Sequence, residues 1–331
     1  MLISNHRAYA GQRHLLAATA ITGRADTSAH SPQNHPQRRP QPALHMTSST
    51  ATLPYAAEFE RSLLVADFDR VRRLIYQRAG ISLASGKQTM VHSRLLRRLR
   101  DTRFRSVAEY LDGLEAARGP EAEIEWQEFV NCLTTNLTAF FREEHHFTAL
   151  VDDLRARATP GAKPLRLWCN AASTGEEPYS LAMTVVEALG ASAAVQLVCS
   201  DIDTQVLATA QQGVYGADAR GLSDARQRRH FMRGTGTNVG QIRARPELAR
   251  LIEFRAFNLM STSWASLGEP FDFVFCRNVM IYFDAATQRK VLADIHSVMK
   301  PGGLLYVGHS ENFTEARTLF SLRGRTIYER L

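Results

Sequence analysis

Three carboxylates sit where apolar runs give way to small residues. Glu176 and Glu177 follow the turn in L-R-L-W-C-N-A-A-S-T-G-E-E-P-Y-S-L-A-M (165–183), and Asp201 closes the run in V-C-S-D-I-D. Before each acid the large apolar residues read as a buried strand, and after it the pattern turns helical. Thr174 and Glu177 have the T-x-x-E spacing of a capping box, with Pro178 in the first helical turn. In a parallel α/β sheet such turns lie at the carboxyl ends of strands, where ligands bind, and an acid after the second strand commonly accepts hydrogen bonds from ribose hydroxyls. Two carboxylates at a helix N-terminus offset its positive end and oppose a pyrophosphate. The turn therefore suits a ligand with hydroxyls, an amine or a sulfonium. No G-x-G-x-x-G is present, which sets a dinucleotide aside. An ordinary capped turn has the same residues, and helix capping is the other reading of Asp201, although Asp203 is as well placed for it.

The elements that must hold these acids alternate. Strands are expected at Leu165 to Cys169, Val195 to Ser200, Leu251 to Phe257, Phe271 to Cys276 and Gly303 to Gly308, with helices after the first two and before the fifth. A terminal pair, Leu319 to Arg323 and Thr326 to Arg330, joined by Gly324, reads as an antiparallel hairpin at one end of an otherwise parallel sheet. Residues 213–250 interrupt the rhythm and read as a small antiparallel β insertion with a hairpin around G-T-G-T-N-V-G. The fold class is thus α/β, a doubly wound, mostly parallel sheet over 163–331, preceded by a small all-helical domain over 53–125 and a linker helix region over 126–162.

In that helical domain, Phe68, Val71, Leu74 and Ile75 recur at helical spacing after a possible Asp67 cap, and Gly80 ends the helix. Ser106 and Glu109 form a second capping box, and Pro120 opens a further helix. From Lys87 to Arg103, Val91, Leu95, Leu96 and Leu99 fill one arc of a helix while Arg94, Arg97, Arg98 and Arg100 fill the opposite one. Asp101 is the one acid nearby, so this face reads as a docking surface for an acidic partner.

Composition narrows the classes. Residues 1–45 carry five Arg, one Asp and no Lys or Glu, so about +4 of the formal +7 lies in a Ser, Pro, Gln and His-rich stretch. Residues 1–52 read as a disordered tail, or as leader sequence ahead of a start at Met46. The rest is only mildly basic, which is weak support for nucleic-acid binding. Four cysteines without C-x-x-C read as reduced core thiols of a cytoplasmic protein, and no apolar run approaches a membrane span.

The motif M-K-P-G-G-L-L-Y-V-G-H-S (299–310) is similar to the corresponding part of S-adenosylmethionine-dependent methyltransferases. Joined with T-T-N-L-T-A-F-F-R-E-E-H-H-F (134–147), A-A-S-T-G-E-E-P-Y-S, S-D-I-D-T, F-M-R-G-T-G, F-C-R-N-V-M-I-Y-F-D and G-H-S-E-N-F, it resembles the chemotaxis receptor methyltransferase family, the CheR proteins, from about Phe68 to the C-terminus. The resemblance implies a class I methyltransferase, Rossmann-like, that moves a methyl group from S-adenosylmethionine to glutamate side chains of methyl-accepting chemotaxis receptors, releasing S-adenosylhomocysteine. It implies that Asn136, Thr138, Arg142, Glu177, Asp201, Asn258, Leu259, Arg277 and Asn278 contact the cofactor. Arg142 and Tyr282 are the candidate catalytic residues, with an Arg142 ion pair to Glu143 or Glu144, and a core position for Tyr282 beside Phe283, as the structural alternatives. Arg94, Arg97, Arg98 and Arg100 are the candidate receptor contacts, and the β insertion is a candidate site for a receptor C-terminal peptide. The expected location is the cytoplasm, at receptor arrays on the inner membrane.

No metal is expected. Consecutive histidines such as His145 and His146 point about 100° apart on a helix, and His309 reads as a pocket or core residue. The competing readings are a nucleic-acid methyltransferase, a signalling module that binds S-adenosylmethionine without transfer, and, weakest, a dinucleotide oxidoreductase.

Overall fold

Five helices precede the sheet, and four of them share one core. These are α1 (Val65–Ala79), α2 (Gln88–Asp101), α3 (Val107–Ala116) and α4 (Pro120–Leu133); α5 (His145–Arg157) follows. The computed structural model describes residues 63–331 except 160, 312 and 314–316, so the tail assigned to 1–52 lies outside the described residues. Val91, Leu95 and Leu99 of α2, one turn apart, are fully buried against Val71 and Ile75 of α1, Tyr110 and Leu111 of α3 and Phe129 of α4. Each such apolar side chain contributes about 1.5–3 kcal/mol. Ser106 caps α3 as expected, its Oγ accepting the Glu109 N–H at 3.1 Å. Asp67 is not a cap: α1 starts earlier, from Leu64, and Asp67 lies within its first turn. Helix α4 runs unbroken across 125/126, where a domain boundary was expected.

The arginine face of α2 is less bare than its helical wheel implies. Arg98 forks onto Glu125 of α4 at 2.9 and 2.5 Å. Arg94 donates to the carbonyls of Leu133 and Thr134 at 2.7 and 2.6 Å. Arg97 and Arg100 remain exposed. The remedy for the repulsion comes from another helix, which periodicity within α2 cannot register.

The second part follows as β1 (Leu165–Cys169), α6 (Glu176–Leu189), β2 (Val195–Asp201), α7 (Thr204–Gln212), β3 (Val214–Gly216), α8 (Asp224–His230), β4 (Phe231–Arg233), β5 (Gln241–Ala244), α9 (Pro246–Ala249), β6 (Ile252–Ala256), β7 (Phe271–Cys276), α10 (Ala285–Ser297), β8 (Met299–Val307), β9 (Phe320–Gly324) and β10 (Ile327–Arg330). The large sheet has the order β6-β2-β1-β7-β8-β10-β9, parallel through β8 and antiparallel at β10 and β9. The fold class read from the sequence is therefore the fold observed. Alternation sends Leu167, Cys169, Phe273 and Phe275 to the face covered by α5 and α6, and Trp168, Val274 and Cys276 to the face covered by α10. The insertion is more than a hairpin: β3, β5 and β4 form a three-stranded antiparallel sheet.

The chain leaves β1 toward β2 and β6, then crosses back to β7 on the other side of β1. That reversal opens a crevice at the carboxyl ends of β1 and β7, the ligand position of doubly wound sheets. Three contacts tie the helical part to its rim: Ser82 N–H to the Tyr282 carbonyl at 2.8 Å, Asn258 Nδ2 to the Arg78 carbonyl at 2.7 Å and Tyr76 Oη to Asp284 at 2.9 Å.

Candidate active site

A cavity of about 650 Å³ fills this crevice. Its floor is the turn after β1, with Asn170, Ala171, Ser173 and Glu177, beside Asp201 from β2 and Arg277 and Asn278 from β7; its roof is the segment 133–142 and the α1–α2 connection. Asn136, Thr138, Arg142, Asn258, Leu259 and Tyr282 also line it, so every residue expected at the cofactor or the chemistry meets in one place. Of the four expected receptor contacts Arg94 alone reaches the wall, where Lys87 joins it.

The turn after β1 is built differently from expectation. Gly175, at φ 101°, is the N-cap of α6, and no side chain caps that helix. A Cβ there would lie 3.0 Å from the Ala210 Cα and 2.5 Å from the Tyr215 hydroxyl, so only glycine permits this close approach. Thr174 Oγ1 instead donates to Glu176 at 2.6 Å. Glu177 turns inward to Arg277, 2.6 Å away.

Asp201 is buried and accepts the N–H groups of Ser173 at 2.8 Å and Asp203 at 2.9 Å, one on each oxygen. Burial pushes its carboxyl up to about 6, with the two N–H groups opposing that rise. Helix capping falls to Asp203, whose Oδ1 takes the N–H groups of Gln205 and Val206 while Oδ2 holds Asn136 Nδ2 at 2.8 Å. Asp201 thus keeps free lone pairs at the cavity. Asn258 spends both ends of its amide on the backbone of Arg78 and Met260, and so is a wall and a tie at once.

Arg142 stands on a strained turn. Phe141 and Glu143, its two neighbours, have φ 50° and 58° without being glycine. Each costs about 1–2 kcal/mol. The Arg142 guanidinium donates to the Leu137 carbonyl at 3.2 Å and, among the described residues, pairs with neither Glu143 nor Glu144. Glu143 instead faces Arg277, 3.6 Å away, and accepts from His309 at 3.1 Å. His309 is at the surface, with its side chain 68% exposed, rather than in the pocket or core. Tyr282 is half-buried on the cavity wall, while Phe283 takes the core position.

Glu143, His145 and His146 bring possible ligand atoms within 4.8 Å of one another. Helical geometry did not anticipate this, because α5 starts only at His145 and Glu143 lies in the left-handed turn before it. The Glu143 carboxylate already faces the Arg277 guanidinium, and a dication there would oppose that charge. We assign the cluster no metal.

Two residues have roles that the sequence reading did not give them. Glu311 is buried and gathers the N–H groups of Asn278, Met280 and Gly308 at 2.9, 2.8 and 2.6 Å, fixing the loop after β7 that carries Tyr282. Glu143 is the other. An acid within G-H-S-E-N-F, just past a buried strand, was the available signal for the first; for the second there was none, since its partner lies 134 residues away.

The donor set fits a nucleoside sulfonium. It offers a carboxylate for ribose hydroxyls, apolar Ile202, Phe257 and Leu259 for a purine, and no glycine-rich phosphate cradle.

Residues 66–134 match the family model "CheR methyltransferase, all-alpha domain" and residues 136–328 match "CheR methyltransferase, SAM binding domain". The chain is 51% identical over 265 residues to a chemotaxis protein methyltransferase of Klebsiella aerogenes, covering 80% of this chain and 89% of the relative. It is 48% identical to that of Escherichia coli K12, covering 80% and 90%, and 50% identical to chemotaxis protein methyltransferase 2 of Pseudomonas aeruginosa, covering 79% and 92%.

Proposed function

The chain belongs to the CheR methyltransferase family, and from that premise we propose that it methylates glutamate side-chain carboxylates of methyl-accepting chemotaxis receptors. S-adenosylmethionine is the cofactor, and when bound it supplies a methyl group on an electron-poor sulfonium. The observation that carries the reading is the wall of the cavity: Arg142 and Tyr282 share it with Asp201, and among the described residues it contains no histidine. A glutamate, with a pKa of about 4.3, is already ionised at neutral pH and needs no base. The carboxylate oxygen forms the new bond to the methyl carbon as the carbon–sulfur bond breaks, and no proton moves. What remains for the protein is alignment and exclusion of water.

In this reading Asp201 holds the ribose, Asn136, Thr138, Glu177, Asn258, Leu259, Arg277 and Asn278 shape the rest of the pocket, Arg142 grips a carboxylate, and Tyr282 donates a hydrogen bond near the transferring methyl. The helical part docks the acidic receptor helix through exposed Arg97 and Arg100, with Arg94 at the cavity entrance. A receptor C-terminal peptide adds as a strand to β3 or β4, the edges of the insertion. Among the described residues no helix is long and apolar enough to cross a membrane. We place the enzyme in the cytoplasm, brought to the membrane by its receptors.

The test is incubation with methyl-labelled S-adenosylmethionine and receptor cytoplasmic fragments. Label on the receptor that mild base releases supports carboxyl methylation. Label only in added RNA, or cofactor binding without any transfer, overturns it.

Asp201 gives a second expectation. A ribose hydroxyl donates best to the ionised carboxylate, so affinity for S-adenosylhomocysteine is level above pH 6 and falls below it, by up to about tenfold per pH unit. Calorimetry between pH 5 and pH 8 reads this directly. Asp201→Asn should bind weakly at every pH, and a variant that kept the same pH profile would remove Asp201 from the ribose.

A further inference from the structure

Arg142 is held through Arg277, itself a cavity residue, and between Phe141 and Glu143, which do not line the cavity. The Arg277 side chain has no exposed surface, and its guanidinium donates to the Arg142 backbone carbonyl while pairing with Glu177. It lies over the Phe147 ring, 5.6 Å from the centroid. On its other side is Glu143, whose Oε2 is buried and accepts no hydrogen bond. A buried carboxylate oxygen without a donor is costly unless its charge is used, and the permanent charge beside Oε2 is Arg277, 3.6 Å away. Glu143 is also one of the two left-handed residues that flank Arg142, and the other, Phe141, is pinned through its N–H to Ser180 Oγ at 2.9 Å. The turn is thus fixed on both sides of Arg142.

Building on the cofactor reading above, we propose that Glu143 is a positioning residue: its charge seats Arg277, which holds the Arg142 carbonyl and so sets where the Arg142 guanidinium stands in the cavity. Residues 141–143 are then a pre-set mount. Its strain is borne by the Glu143–Arg277–Glu177 row, and Arg142 needs no reorganisation when a carboxylate arrives.

A double-mutant cycle on the full chain tests this, read by calorimetric affinity for S-adenosylhomocysteine. Glu143→Gln, which keeps the shape and removes the charge, is expected to weaken binding about tenfold. In an Arg142→Ala background the same change should add less than twofold, because the residue it acts through is gone. Without any ligand, the Nε–Hε nitrogen resonance of Arg142, assigned by its loss in Arg142→Ala, should move in Glu143→Gln. It should also move, by less, in His309→Ala, a surface change that removes one donor from Glu143. Equal penalties in the two backgrounds, or an Arg142 resonance unmoved by both variants, overturns the proposal. Failure of the wild type to bind S-adenosylhomocysteine would refute the cofactor reading instead, and the resonance would still decide the positioning.

Discussion

Replacing Arg277 by methionine is expected to lower the free energy of unfolding by about 3–5 kcal/mol, the cost of removing one partner from a buried ion pair. Methionine fills much the same space against Phe147, so packing is largely kept. What is lost is the single guanidinium that stands between Glu177 at 2.6 Å and Glu143 at 3.6 Å, both carboxylates being 12% exposed. Two nearly buried carboxylates would then face each other without a cation. Urea denaturation at pH 7.5 measures the loss, and its pH dependence identifies the cause. In the variant, burial without a partner raises the folded-state pKa of both carboxylates above the unfolded value. Such groups contribute stability at low pH and lose it as pH rises through the folded value. The deficit against wild type should therefore shrink between pH 7.5 and pH 5. Arg255→Met is the control: its pair with Glu253 at 2.6 Å is on the surface, and its loss should cost below about 1 kcal/mol. A deficit for Arg277→Met no larger than the control's would mean that the row carries no buried charge.

The sheet was legible because a parallel sheet is buried on both faces, which writes its strands as unbroken apolar runs. F-D-F-V-F-C became β7, all six residues buried, and its one acid, Asp272, is paired with Lys300 at 2.8 Å. Once the strands and their connecting helices are placed, the crevice between β1 and β7 follows from topology. Two misreadings share one cause, a partner far along the chain. Glu177 has the spacing of a capping box and is drawn instead to Arg277, 100 residues on. The α2 arginines look unrelieved until Glu125 arrives from α4. The third strand of the insertion, β3, failed to register for another reason: three residues are too few to show a period.

Arg142→Ala is expected to weaken S-adenosylhomocysteine binding and to lower kcat/KM together, each about a hundredfold or 2.7 kcal/mol. The split between binding and turnover follows from charge. In the proposed reaction methyl transfer joins an anion to a sulfonium, so the attacking carboxylate loses charge on the way to the transition state. A guanidinium clamped on that oxygen would stabilise the ground state more than the transition state and slow the step. We propose that Arg142 instead grips a carboxylate that keeps its charge throughout, the one on the amino-acid end of the cofactor. Its guanidinium is placed for this, with the Leu137 carbonyl at 3.2 Å as a neutral neighbour and, among the described residues, no ion-pair partner. The Arg142 loss should then appear in the cofactor KM, with kcat at saturating cofactor changed far less. Arg142→Lys should recover only part, because an ammonium cannot reproduce the planar fork. Tyr282→Phe should show the opposite signature, a fall in kcat of about tenfold with cofactor affinity unchanged, as expected for a hydrogen bond that strengthens only near the transferring methyl. If Arg142→Ala and Tyr282→Phe both leave kcat/KM within about threefold of wild type, under roughly 0.7 kcal/mol, neither residue has the role given to it. If Arg142→Ala lowers kcat and spares the cofactor KM, the guanidinium acts on the receptor glutamate after all, and its gain must come from alignment, since charge works against it.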